Sequence, residues 1–140
     1  MQREDYLLRM IAQMARVLAR IRQMLLEGKN SEAGAELDYA AQKGGIDLRL
    51  VSALDEASLR PLLFTGGEID RPKCAFFAEI MYLEWRRQTA MAHLPDAERC
   101  AQRALLLYAL AYDGIVMDDE VRQRIAELGT AIGDLQRTRS

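Results

Sequence analysis

The chain has 140 residues, of which 50% are hydrophobic and 29% charged. That composition can build one globular core and excludes a disordered chain, while a formal net charge of -2 excludes broad attraction to nucleic acid or to an anionic membrane surface. Two widely spaced cysteines, Cys74 and Cys100, exclude a disulfide-stapled secreted scaffold and read as reduced core thiols.

The first helix is predicted over about Glu4–Glu27. Leu7, Ile11, Met14, Leu18, Ile21 and Leu25 step by four, three, four, three and four, a heptad seam over nearly three heptads. Met10, Val17 and Met24 widen the seam on one side. Arg9, Arg16 and Arg20 fall on the opposite face, and Ala12, Ala15 and Ala19 fill a flank. Together with Arg22 these arginines interrupt the apolar residues, so the segment does not read as a signal peptide. No window of the chain approaches the roughly 18 apolar residues of a membrane span, and a cytoplasmic location is expected by elimination.

Gly28 stops that helix. A second is predicted over about Ser31–Lys43, capped by Asn30 or Ser31 and ended by Gly44 and Gly45. Asp47 can cap a short third helix through Leu54, and Asp55 a short fourth through Leu63, with Pro61 limiting its regularity. Thr65-Gly66-Gly67-Glu68-Ile69-Asp70 reads as a loop and hinge, and no strand is predicted. A fifth helix begins near Pro72 and runs to about Ala92. Phe76, Phe77, Ile80, Met81, Tyr82, Leu83 and Trp85 place apolar groups on more than one of its faces, which predicts a position in the middle of the domain. A sixth runs from near Pro95 to about Tyr112, with a ridge of Ala97, Ala101, Ala104, Tyr108 and Ala111 suited to close packing. The last begins near Asp118, and Val121, Ile125, Leu128, Ile132 and Leu135 repeat the four–three step. The expected organisation is one all-α domain over 1–140: a heptad helix (1–28), a helical core (29–136) and a frayed tail (137–140).

Gly28-Lys29-Asn30-Ser31-Glu32-Ala33 followed by Ala40 resembles the centre of a tetratricopeptide repeat, where a turn precedes a helix with alanines seven apart. Asp96-Ala97 with Ala104 has the same spacing, and Arg103-Ala104-Leu105 with Tyr108 looks like the second helix of such a repeat. A small residue is needed where the two helices of a repeat approach. The two alanine pairs lie close to two repeat lengths apart, at roughly 34 residues each. Ile21 and Trp85 depart from the pattern, standing where it usually has glycine. The resemblance covers about half of the chain and implies a right-handed, tetratricopeptide-like stack of antiparallel helix pairs with a concave binding surface. Asp5-Tyr6-Leu7-Leu8-Arg9-Met10-Ile11 and Leu25-Leu26-Glu27-Gly28-Lys29 also resemble an uncharacterised bacterial family of helical proteins, which implies a bacterial cytoplasmic protein and no particular chemistry.

The chain offers little for catalysis. Its one histidine, His93, falls in a turn and reads as a capping or surface residue. Asp118-Asp119-Glu120 is a carboxylate run, but neighbours on a helix point apart, and the run suits the dipole of a helix N-terminus. No phosphate-binding glycine loop and no nucleophile elbow occur. Gly129 and Gly133 mark close helix packing or fraying.

The expected function is therefore a non-catalytic protein-interaction or adaptor module without cofactor or metal, with a protein partner or itself as its ligand. The candidate self-association seam is Leu7, Met10, Ile11, Met14, Leu18 and Ile21, expected to form a homodimer, although the same seam suits packing within one chain. The candidate groove residues are Tyr82, Trp85 and Arg86, against the alternative of a core tryptophan beside surface arginines. A second reading is a small-ligand-sensing domain whose pocket is lined by Phe76, Phe77, Tyr82 and Trp85. A third is a small enzyme using carboxylates such as Glu79 and Glu84. A fourth, nucleic-acid binding through Arg9, Arg16 and Arg20, competes with a plain solvated face, and neither nucleic acid nor membrane is expected as a partner.

Overall fold

A computed structural model describes residues 2–139, except for the side chains of residues 1–8, 10, 11 and 139. In chain order it contains α1 (Gln2–Leu26), α2 (Asn30–Lys43), α3 (Leu48–Ala53), α4 (Glu56–Leu59), a 3-10 turn (Arg60–Leu63), β1 (Phe64–Thr65), β2 (Glu68–Ile69), α5 (Arg71–Ala90), α6 (Leu94–Ala111) and α7 (Asp119–Arg139). The fold is all-α, with about seven helices as expected. The terminal helices are its longest, at 25 and 21 residues. No helix among the described residues is long and apolar enough to cross a membrane.

Helix ends follow local chemistry. Asp47 accepts the Arg49 amide at 2.9 Å and Asp55 the Ser58 amide at 2.7 Å, satisfying orphan donors at the starts of α3 and α4. Helix α2 differs from expectation. Lys29 holds its N-cap position without a side-chain cap, and Asn30 lies within the first turn with its side-chain oxygen buried and unpartnered. The expected fourth helix splits into α4 and the 3-10 turn because Pro61 has no amide hydrogen to donate. Helix α7 continues to Arg139, through the expected frayed tail. Arg137 pairs there with Asp134, a basic residue suited to a helix C-terminus.

The expected hinge at 65–70 is a tight hairpin. Thr65 pairs with Glu68, and Gly66 and Gly67 both take positive φ, +62° and +84°, as a type I′ turn requires. Asp70 locks the hairpin to α5. Its amide donates to the Leu63 carbonyl at 2.8 Å, and its carboxylate accepts the Thr65 hydroxyl at 3.0 Å and the Lys73 amide at 3.1 Å.

Two helix pairs share one turn geometry. At the end of α1, the Gly28 amide donates to the Leu25 carbonyl at 3.1 Å and the Lys29 amide to the Met24 carbonyl at 2.9 Å. At the end of α5, the Ala92 amide donates to Thr89 at 3.0 Å and the His93 amide to Gln88 at 2.9 Å. Both are Schellman turns, with Gly28 at φ +76° and Ala92 at φ +60°. The sequence offset that takes Gly28 to Ala92 also takes Ala33 to Ala97 and Ala40 to Ala104, and all four of these alanine partners are buried.

Helix α5 lies at the centre, with Phe76, Phe77, Ile80, Met81 and Leu83 buried. Its most extensive contact is with α6, whose ridge of Ala97, Ala101, Ala104, Tyr108 and Ala111 is buried. Leu18 and Ile21 of α1 and Val121 and Leu128 of α7 join the same core. This changes the reading of the first seam. Leu18 and Ile21 are spent within the chain, and Met14 packs half-buried against the core. The side chains of Leu7, Met10 and Ile11 lie outside the described residues.

Candidate functional site

Three helices define a groove of about 310 Å³, lined by Arg22 of α1, Tyr82 and Arg86 of α5, and Glu120, Gln123, Arg124 and Glu127 of α7. Tyr82 forms its floor. The Tyr82 hydroxyl donates to Glu127 Oε1 at 2.6 Å. The guanidinium carbons of Arg86 and Arg124 lie 5.9 and 5.6 Å from the centre of its ring, within cation–π range. Burial and then the facing Glu127 carboxylate raise the Tyr82 hydroxyl above its ordinary value, so it stays a neutral donor.

Arg124 is anchored from below. It pairs with Glu79, which also accepts the Tyr108 hydroxyl, and it reaches Glu120 at 3.5 Å. Burial opposes its charge, but Glu79, Tyr108 and Glu120 together outweigh burial and raise its pKa. Burial, followed by Glu79, raises the Tyr108 hydroxyl as well. This network fastens α7 to α5 and α6. Arg22 and Arg86 are half-buried, as Arg124 is, but among the described residues neither has an ion-pair partner. They also occupy equivalent places, since the offset that takes Gly28 to Ala92 takes Arg22 to Arg86.

Of the groove residues expected from sequence, Tyr82 and Arg86 line the groove. Trp85 is 8% exposed and packs beside Tyr82, with ring centres 5.6 Å apart. Phe76 and Phe77 do not join them. They meet edge-to-face at 5.2 Å in the core, beneath Gly44, so the expected aromatic pocket does not form. Arg22, Arg124, Glu120, Gln123 and Glu127 escaped the sequence reading. Arg22 could have been found by applying the alanine offset to the arginines; the α7 residues carry no local signal.

A second cavity, of about 330 Å³, lies on the other side of α5. Asp38, Arg49, Glu84, Arg87, Asp96 and Arg99 supply its charges, and Cys100 lies at its wall. Glu84 is buried and held by Arg87 at 2.7 Å and Gln88 at 3.0 Å. Burial is the foremost cause of its raised pKa. Burial also pushes the Cys100 thiol up to about 12 and Cys74 up to about 11, which leaves both thiols unreactive at neutral pH. Glu79 and Glu84 therefore serve separate networks and do not converge as an acid–base pair.

The remaining candidates take structural places. His93 sits at the N-cap position of α6, with its Nδ1 3.0 Å from Gln88 Oε1. Asp118 caps α7 through the Val121 amide at 2.9 Å, while Asp119 approaches Arg122 at 3.6 Å. Among the described residues no group of three or more His, Cys, Asp or Glu could hold a metal. Arg9 and Arg16 are exposed, and Arg20 pairs with Glu36 at 2.8 Å. A Cβ at Gly129 or Gly133 would meet open space, so neither marks a close approach. No family model matches the chain, and no curated protein or solved structure matches it.

Proposed function

We propose that the protein is a non-catalytic interaction module that holds a segment of a partner protein in the groove between α1, α5 and α7. The carrying observation is the pair of half-buried arginines, Arg22 and Arg86, which line one groove from equivalent helix positions, neither with an anion among the described residues. A planar guanidinium beside an aromatic ring is a frequent anchor at protein interfaces. The tetratricopeptide resemblance supports the reading: the spaced alanines are buried, and such stacks offer concave surfaces to peptides or helices. The N-terminal half of α1 extends the heptad seam and serves self-association as a homodimer in the cytoplasm.

The test places a photo-crosslinking residue at Gln123, on the rim of the groove, and at exposed Gln102 on α6 as control. A discrete protein adduct from Gln123 and none from Gln102 is expected. Equal labelling from both positions refutes the groove reading. A second reading, a small-ligand-sensing domain, is favoured by the polar cavity around Glu84 and Arg87 rather than by an aromatic pocket. A thermal shift with a charged metabolite, lost in Arg87→Ala, would support it; no shift across a metabolite panel would count against it.

A further inference from the structure

We infer that the occupant of the groove is a protein segment carrying both signs of charge, with carboxylates towards α1 and α5 and a basic residue towards α7. This rests on the interaction-module reading. The two walls of the groove differ in sign. Arg22 and Arg86 stand on the α1 and α5 side. Half-buried and without an anion among the described residues, each lacks the carboxylate pairing that a guanidinium makes best, although Arg86 also reaches the Tyr82 hydroxyl. Glu120 and Glu127 stand on the α7 side, both exposed. Among the described residues, the hydrogen-bond donor to Glu127 is neutral Tyr82, and Glu120 has only the long 3.5 Å approach of Arg124.

The floor between the walls carries no net charge, because Glu79 neutralises Arg124 from beneath. An all-acidic segment, or the phosphates of a nucleic acid, would satisfy Arg22 and Arg86 but face Glu120 and Glu127. An all-basic segment would meet the reverse conflict. A segment with both signs matches both walls, and like-charge juxtaposition rejects the others. The repeated arginine position sets two basic points along one wall, so the matching carboxylates are also two.

The test uses the full chain and three fluorescein-labelled peptides of equal length and apolar content. One carries two Glu on one edge and two Lys on the other; the second has Glu, and the third Lys, at all four positions. Fluorescence anisotropy at low salt should show the two-signed peptide binding at least about tenfold tighter than either other. The Arg22→Glu/Arg86→Glu variant should switch its preference to the all-Lys peptide. The Glu120→Lys/Glu127→Lys variant should switch to the all-Glu peptide. Such gains cannot come from misfolded protein. Equal binding of the three peptides, tightest binding of the all-Glu peptide by the unaltered chain, no binding of any, or unchanged preference after reversal would each overturn the inference. If Gln123 still crosslinks to a partner while reversal changes nothing, the interaction groove stands and the two-signed occupant falls.

Discussion

Replacing Gly34 with alanine sets two effects of opposite sign against each other. Gly34 is buried inside α2. A Cβ there would lie 2.9 Å from Arg87 Nη1 and 3.0 Å from its Cζ, so the guanidinium must move. That group holds Glu84 at 2.7 Å, and Glu84 is only 4% exposed. Alanine in a helix interior is favoured over glycine by about 1 kcal/mol. Removing one partner of a buried ion pair costs on the order of 3–5 kcal/mol. Here Arg87 is displaced rather than removed, its side chain is 19% exposed, and Gln88 still donates to Glu84 at 3.0 Å. About 2 kcal/mol is therefore at stake, and the net expectation is a loss of about 1 kcal/mol. Urea unfolding of Gly34→Ala, Glu84→Gln and the double variant measures this as a cycle. Once Glu84 is neutral, Arg87 is free to swing outward, and the same alanine should stabilise by up to about 1 kcal/mol. An alanine effect of the same sign and size in both backgrounds would refute the reasoning.

Gly44→Ala would place a Cβ 2.5 Å from Phe76 Cε2 and 3.1 Å from Phe77 Cζ, two rings fixed in the core, and should lose about 1–3 kcal/mol by overpacking; an unchanged melting temperature would contradict it. Ala92→Gly relieves an L-residue held at φ +60° and should stabilise by about 0.5–1 kcal/mol after the entropy of glycine is subtracted, which calorimetry can resolve. Burial raises the Glu84 pKa above its ordinary 4.5, so the native state binds that proton more tightly than the unfolded chain. Stability should therefore fall as pH rises from about 4.5 through the raised native value, and return on acidification. Glu84→Gln should flatten that part of the stability–pH profile, and identical profiles would exclude the effect. Leu18→Asp should destabilise the monomer, since Leu18 is core, whereas Leu7→Asp should reduce the dimeric mass in light scattering and spare the melt. An unchanged mass for Leu7→Asp would remove α1 as the self-association surface.

What the sequence made legible was local or periodic. Asp47, Asp55 and Asp118 announced helix starts because a short carboxylate reaches backbone amides two or three residues ahead, and each does so. The apolar run of α5 announced its central place. The alanine ridge of α6 announced close packing. The hairpin was missed although Gly66-Gly67 is a type I′ signal, because its flanking strands are too short to show alternation. The unpartnered Asn30 was missed because a capping residue in the right place does not reveal which way the chain enters the helix. Most of the groove was missed for a different reason. Glu79 and Arg124, like Tyr82 and Glu127, are far apart in sequence and meet only because α7 packs against α6, which itself packs on α5.

The charges of α5 make the strongest argument that the groove is built for an outside partner. A charge in the middle of a domain is costly unless it is paired. Glu79, Glu84 and Arg87 of this helix obey that rule. Glu79 has Arg124 and Tyr108, and Glu84 has Arg87 and Gln88. Arg86 breaks it, having an aromatic ring beside it but no anion among the described residues. Arg22, its counterpart on α1, likewise has no ion pair among the described residues, and both line the same groove. Among the described residues, two guanidiniums without an anion thus stand at equivalent positions of two helix pairs, whereas internal packing supplies partners for Glu79, Glu84 and Arg87 of α5. Their missing anions are accounted for if the partner segment supplies them.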